Sequence, residues 1–287
     1  MPSNKTDAQE RVLRLLADWR LLTVDMLVSL VPFTHYKRGQ ETLKKMTDRK
    51  WVEHTWTKDP FGKRTKPVHA YALTKKGIQQ LQEITGIMSN APPPPKDFNM
   101  QAPHLLAVNV WRMCIEQACR QKDGVELGAL IPDYYGRAAP SGGPPMRQGQ
   151  AHVWVESLGE NRLFVPDMVV VLSRGTHKGL YFVEVDRGSE PTKTLVEKVR
   201  TYDAYWSSRG FGHYAEQYGY PFVGFYVLFI ASAPCIKRLF SALVETDMDT
   251  GFVWATEDEA LTSGRFFQSI WQVAGRNPDD RYALIPS

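Results

Sequence analysis

Cysteine is scarce: Cys114, Cys119 and Cys235 are the only three in 287 residues, and no two of them stand in a CxxC spacing. Three such thiols build no disulfide framework, which points to a reducing compartment. Long apolar runs are missing as well. Residues 222–233 come nearest, but they fall short of the roughly 18–20 apolar residues of a spanning helix. They also contain Gly224, so they predict a buried strand. The opening Met-Pro-Ser-Asn-Lys-Thr-Asp carries no apolar signal core. The seven histidines show no HxxxH or HxxEH spacing, which argues against a zinc site. A GxxxxGK[ST] or GxGxxG sequence is lacking, which argues against a nucleotide cofactor. These absences predict a cytoplasmic protein with no membrane partner.

What is present suffices for a packed protein. Hydrophobic residues make up 43% of the chain and charged residues 23%, which excludes a largely disordered chain. The length predicts two folded units. The formal net charge is only +4, but it is unevenly spread. Residues 1–96 hold 17 Lys and Arg against 9 Asp and Glu, while residues 97–287 hold 18 against 22. The break falls at Pro92–Pro95, a proline run that favours extended geometry and excludes helix. A basic first third on a stiff spacer is the electrostatic footprint of a nucleic-acid-binding module, although a merely solvated basic surface would have the same charge.

Three helices are predicted in that first third. Residues 6–16 open on a Thr-x-x-Gln capping box, Thr6 and Gln9, and carry an apolar face of Val12, Leu13 and Leu16. Residues 23–30 follow with Thr23 as cap, and Pro32 closes them. The third helix spans about 34–49, anchored by Leu43 and Met46. Two alternating strands, 51–56 and 67–73, flank a turn-rich basic loop, and a helix opens at Thr74-Lys75-Lys76-Gly77. This order is that of a winged helix-turn-helix. In such a module the third helix enters the major groove, so Lys37, Arg38, Gln40, Lys44 and Lys45 are the candidate DNA contacts. The hairpin tip would bring Lys63, Arg64 and Lys66 to phosphate. The competing reading is a winged helix used for protein contacts.

Beyond the spacer the pattern becomes an α/β alternation. A helix over about 103–121 is followed by an apolar run at 125–131 and a Gly/Pro-rich loop at 136–150. Strands are predicted at 163–173, 180–186, 222–231 and 251–255. Helices are predicted at 189–206, 234–246 and 258–273, the first with Ser189 as its cap. The expected domains are a winged helix over 1–90, a linker over 91–99 and an α/β domain over 100–287.

Acidic residues gather at two places in the second domain: Pro166-Asp167 and Glu184-Val185-Asp186-Arg187. Centring the intervening turn near Thr176–His177 sets Asp167 opposite Asp186 within a residue or so. Period two places Glu184 and Asp186 on one face. Three carboxylates would then converge, and like charges that close need a compensating cation. Oxygen ligands favour Mg²⁺ or Mn²⁺. The bland alternative is a set of polar strand ends with local hydrogen bonds.

A Pro-Asp strand, a Glu-x-acid strand and a following helix resemble the PD-(D/E)xK nuclease superfamily, the restriction-endonuclease-like fold. More narrowly, His104-Leu105-x-x-x-Asn109, Pro166-Asp167, Glu184-Val185-Asp186-Arg187-Gly188-x-Glu190-Pro191 and Lys198-x-x-x-Tyr202 resemble the replication-relaxation family of plasmids and integrative elements, whose members also begin with a winged helix. The resemblance implies that Asp167, Glu184 and the Val185 carbonyl are metal ligands. Asp186 stands where the superfamily has its lysine. Arg187 is no substitute base, because guanidinium stays protonated. Lys198 or Lys193 on the next helix would have to replace it, and Glu116 is a further candidate acid.

The implied function is a double-stranded-DNA-binding protein of a plasmid or mobile element. It would act in replication and relaxation, mobilisation or transcriptional control. Two alternatives stand beside it: a Mg²⁺- or Mn²⁺-dependent endonuclease using Asp167, Glu184, Asp186 and Lys198, and an adaptor contacting other replication or mobilisation proteins. A homodimer reading two half-sites fits the module, but the sequence carries no heptad for self-pairing.

Overall fold

The computed structural model describes residues 4–31, 36–60, 65–86, 98–133, 153–155, 162–188, 190–260 and 264–285. The proline run, the 136–150 segment, Lys63, Arg64 and Ser189, all singled out from the sequence, lie outside the described residues. The protein is mixed α+β and folds as two compact units, Met1–Val110 and Trp111–Ser287.

The first unit runs α1 (Asn4–Trp19), β1 (Leu22–Thr23), α2 (Val24–Leu30), α3 (Tyr36–Asp48), β2 (Val52–Thr57), β3 (Val68–Leu73) and α4 (Lys75–Thr85). Helix α1 begins at Asn4, ahead of Thr6, so the expected capping box lies inside the helix rather than at its end. The cap predicted for α2 is in place: the Thr23 hydroxyl accepts from the Met26 N–H at 3.3 Å. At α4, Thr74 accepts in the same way from the Gly77 N–H at 3.1 Å. Strands β1, β3 and β2 form an antiparallel sheet in that order. Its inner face carries Thr55, Thr57, Val68, Ala70 and Ala72, and the unit's core also takes Leu13, Leu16, Met26, Leu43 and Met46.

The unit does not end at the prolines. Helix α5 (Phe98–Gln121) begins in it, and Asn109, fully buried, donates its amide to the carbonyls of Trp19 (2.9 Å) and Leu21 (2.6 Å). Between them Arg20 has φ +63°, and the Leu21 N–H closes a tight turn onto the Trp19 carbonyl at 2.7 Å. A side chain from residue 109 therefore satisfies the strained turn that ends α1.

The second unit contains β4 (Val125–Pro132), a small ribbon of β5 (Val153–Val155) and β6 (Arg162–Phe164), then β7 (Met168–Arg174), β8 (His177–Val185), α6 (Thr192–Ser207) and α7 (Gly212–Tyr218). It ends with β9 (Tyr226–Ala231), α8 (Ala233–Val244), β10 (Val253–Glu257) and β11 (Gln272–Val273). The six-stranded sheet has the order β11-β10-β9-β8-β7-β4. Strands β8, β9 and β10 are parallel and joined through helices, and the outer pairs are antiparallel. One sheet face, with Val169, Val171, Leu180, Phe182, Val227 and Phe229, packs in a single core with Leu195, Val199 and Tyr202 of α6 and Ile236, Leu239 and Leu243 of α8.

Four expectations change. The run at 163–173 is two strands, because Pro166 has no N–H to continue the ladder. The strand expected from 222 begins at Tyr226. Helix α6 starts at Thr192, and Pro191 holds the N-cap position without a side-chain bond. The helix expected over 258–273 is absent among the described residues: a short 3-10 turn at Asp258–Ala260 and strand β11 stand there. Phe266, Phe267, Ile270 and Trp271 have helical spacing and are all buried, but they reach the core from turns. The Trp271 indole donates to the Phe266 carbonyl at 3.0 Å, and its backbone pairs with Tyr282.

Candidate functional site

Helix α3 is held from beneath by Gly39, Leu43 and Met46, all buried. The 3.6-residue period then turns the intervening positions outward. Lys37, Arg38, Gln40, Lys44 and Lys45 are all exposed, and so is Lys66 just ahead of β3. The outward face also carries Glu41 and Asp48 among the basic positions, so its positive surplus is modest.

The carboxylates sit at the far end of the β7–β8 hairpin. Its turn is Gly175-Thr176, with Arg174 paired to His177 and Gly175 at φ +58°, a conformation glycine adopts without strain. This is one residue earlier than expected. Met168 therefore pairs with Val183, and Asp167, next in line, falls across from Glu184 instead of Asp186. The Asp167 carboxylate accepts from the Val185 N–H at 2.7 Å.

Glu184 continues the alternation of Leu180 and Phe182 and so faces the helix layer, 3% exposed. There α6 meets it with two donors one turn apart. The Tyr202 hydroxyl donates to Oε1 at 2.6 Å, and the Lys198 ammonium donates to Oε2 at 3.1 Å. Lys198 also donates to Glu190 at 2.9 Å. Asp186 lies past the strand end and turns onto its own backbone, accepting from the Gly188 N–H at 2.8 Å. Its other oxygen, like Oε2 of Glu190, is buried with no hydrogen-bond partner among the described residues. Of the remaining candidates, Lys193 and Arg187 are exposed, and Glu116 pairs with Arg112 and Arg120 of its own helix.

Burial is the main influence on the Glu184 carboxyl and pushes it up to about 7; Lys198 draws it back, Asp167 adds to the rise, and Tyr202 opposes it. Burial alone would lower the Lys198 ammonium, but Glu184 and then Glu190 more than offset this, and the net shift is upward. Tyr202 is raised well above the usual phenol range, first by burial and then by Glu184, so it remains a donor.

These residues do not fit a divalent ion as they are arranged. Both Glu184 oxygens already hold donors, Asp167 is committed to the Val185 N–H, and Asp186 is drawn away. Among the described residues no group of three or more His, Cys, Asp or Glu side chains is placed to hold a metal. The cation that compensates the buried carboxylate is Lys198. Tyr202 stands in the sequence as part of the Lys198-x-x-x-Tyr202 motif, but its hydroxyl was given no role there. The signal was its four-residue spacing from Lys198, which puts ammonium and phenol on one helix face.

The second unit is thus a mixed-sheet domain with a carboxylate–ammonium–phenol cluster at the end of its central strand. The chain belongs to the replication-relaxation family, whose model matches residues 13–217, a span that includes α3 and the whole cluster. No curated protein and no solved structure matches the chain. Membership ties it to replication or relaxation of plasmid or mobile-element DNA. Among the described residues no helix is long and apolar enough to cross a membrane.

Proposed function

We propose that the chain is a double-stranded-DNA-binding protein that acts in the replication, relaxation or mobilisation of its element. In this reading the first unit is a winged helix-turn-helix with α3 as its recognition helix. The observation that carries it is the outward face of α3, where Lys37, Arg38, Gln40, Lys44 and Lys45 are exposed together over an apolar underside. Such a face positions through phosphate and reads through base edges. The second unit fits a restriction-endonuclease-like frame whose catalytic lysine has moved to α6, and whose carboxylate is held by that lysine rather than kept open. This favours a DNA-bound scaffold over a cutting enzyme.

A mobility-shift titration against plasmid-origin duplex tests the reading. Binding should weaken steeply between about 50 and 200 mM salt, and Lys37→Ala with Arg38→Ala should flatten the salt slope by about two contacts. Binding that ignores salt, or a double variant that binds like the parent, overturns the assignment of α3. Nicking of supercoiled plasmid with Mg²⁺ or Mn²⁺, lost in Asp167→Ala or Glu184→Ala, would instead assign a metal-dependent endonuclease.

A further inference from the structure

The outer face of the first unit's sheet carries four aromatic rings that α3 does not use. Cross-strand pairing sets His54 beside Tyr71 and Trp56 beside His69. On the opposite face Thr55, Thr57, Val68, Ala70 and Ala72 are buried, whereas on this one His54 and Trp56 are exposed and His69 and Tyr71 half-buried, although Leu22, Val52 and Leu73 close its edge. The ring centroids of Trp56 and His69 are 3.6 Å apart, those of His54 and His69 4.5 Å, and those of His54 and Tyr71 5.6 Å. Trp56 is 62% exposed. An indole that open costs solvation and packs no core, which is unusual for the largest apolar side chain.

We propose that this face binds single-stranded DNA by stacking unpaired bases on Trp56 and its neighbouring rings. Every base has a π-face, so a row of rings on a sheet is a sequence-tolerant platform. Charge supports a polyanion as the occupant. Lys58 directly follows β2 and Lys66 precedes β3, so two exposed ammonium groups bracket the end of the platform where Trp56 and His69 lie, against the half-buried carboxylate of Asp59, while Glu53 lies on the opposite face. The first third as a whole is the basic part of the chain.

The platform also opens into a cavity. A space of about 120 Å³ is lined by His69 and Tyr71 together with Thr23, Asp25, Tyr36 and Gln40. Its wall includes imidazole, phenol, carboxylate and amide groups, which suit the donor and acceptor edge of a base. The Nδ1 atom of His69 is buried with no hydrogen-bond partner among the described residues. Tyr36 and Gln40 belong to the first turns of α3, so the cavity joins the ring face to the helix assigned to the duplex. Processes that open DNA leave unpaired bases beside paired ones, and the unit presents one surface for each.

The test uses the full chain and a fluorescent oligothymidylate about 20 nucleotides long, long enough to cover such a face. Anisotropy should report binding that Trp56→Ala weakens at least about tenfold, the loss of one or two stacked bases, while Trp56→Phe retains most of it. Duplex binding by Trp56→Ala should stay within about twofold of the parent, and Lys37→Ala with Arg38→Ala should show the reverse pattern. Because Trp56 is exposed, its truncation leaves the fold intact, which an unchanged thermal midpoint verifies. Absence of oligothymidylate binding overturns the proposal. So does equal loss on single strand and duplex, which would make the rings part of the duplex contact. Self-association that Trp56→Ala abolishes, without single-strand binding, would assign the face to a second copy of the chain.

Discussion

Glu184 illustrates how one residue sets a balance for its surroundings. In the unfolded chain its carboxyl titrates near 4.5, and in the folded protein near 7. Between those values the native state keeps a proton that the unfolded chain has released. The stability contribution of this group is therefore full below pH 4.5 and declines as pH rises through about 7. Glu184→Gln removes the titration. Urea unfolding at several pH values should show a flatter profile across this window for the variant than for the parent. An identical slope would mean that Lys198 and Tyr202 hold the carboxylate ionised throughout. The residues of this cluster were visible in the sequence as Glu184 and as the Lys198-x-x-x-Tyr202 spacing. Their pairing was not, because apolar periodicity alone cannot separate a phenol that fills space from one that donates a hydrogen bond.

At the level of elements, the sequence was readable where a single face is buried and caps are local. Helices α2 and α4 begin at the threonines expected, and the two strands of the β2–β3 pair form where expected, with burial alternating over Thr55–Thr57 and Val68–Ala72. It was less readable where the chain reverses direction. Moving the β7–β8 turn by one residue changes which acid faces Asp167; the overlooked signal was Gly175, which takes φ +58° in the two-residue turn more readily than Thr176 or His177 would. The 258–273 segment misled for a different reason. Four buried aromatic and aliphatic residues at helical spacing can equally be gathered by turns, once Trp271 pairs with Tyr282. The start of α4 gives an element-scale prediction. Gly77 lies against the Trp51 carbonyl, and a methyl group there would collide with backbone. Gly77→Ala should lower stability by about 1–3 kcal/mol in denaturant unfolding, even though alanine is the better helix former.

For the molecule as a whole, composition located a boundary, but the fold places it elsewhere. Charge and proline both change near residue 92, yet the first compact unit continues to Val110. The start of α5 is tied to this unit by the pair of bonds from Asn109 to the turn after α1, a contact across about ninety positions that no local pattern announces. A fragment ending at residue 90 would leave those carbonyls without their buried donor, whereas one ending at residue 110 keeps it. The longer fragment should be more stable by on the order of 3 kcal/mol, the cost of two unmade buried hydrogen bonds. Asn109→Ala in the full chain should lose a comparable amount, and thermal unfolding measures both. Equal midpoints for the two fragments would show that the turn is stable without Asn109.

The ammonium of Lys198 has one more consequence. A buried carboxylate needs a counter-charge, and a divalent ion taken from solution is one source of it. Here the counter-charge is built into the chain, reaching Glu184 and Glu190 at once. It is delivered at synthesis, one ammonium in each copy of the chain, shared between two acids. Glu184 therefore has its counter-charge in every copy of the protein from the moment it folds.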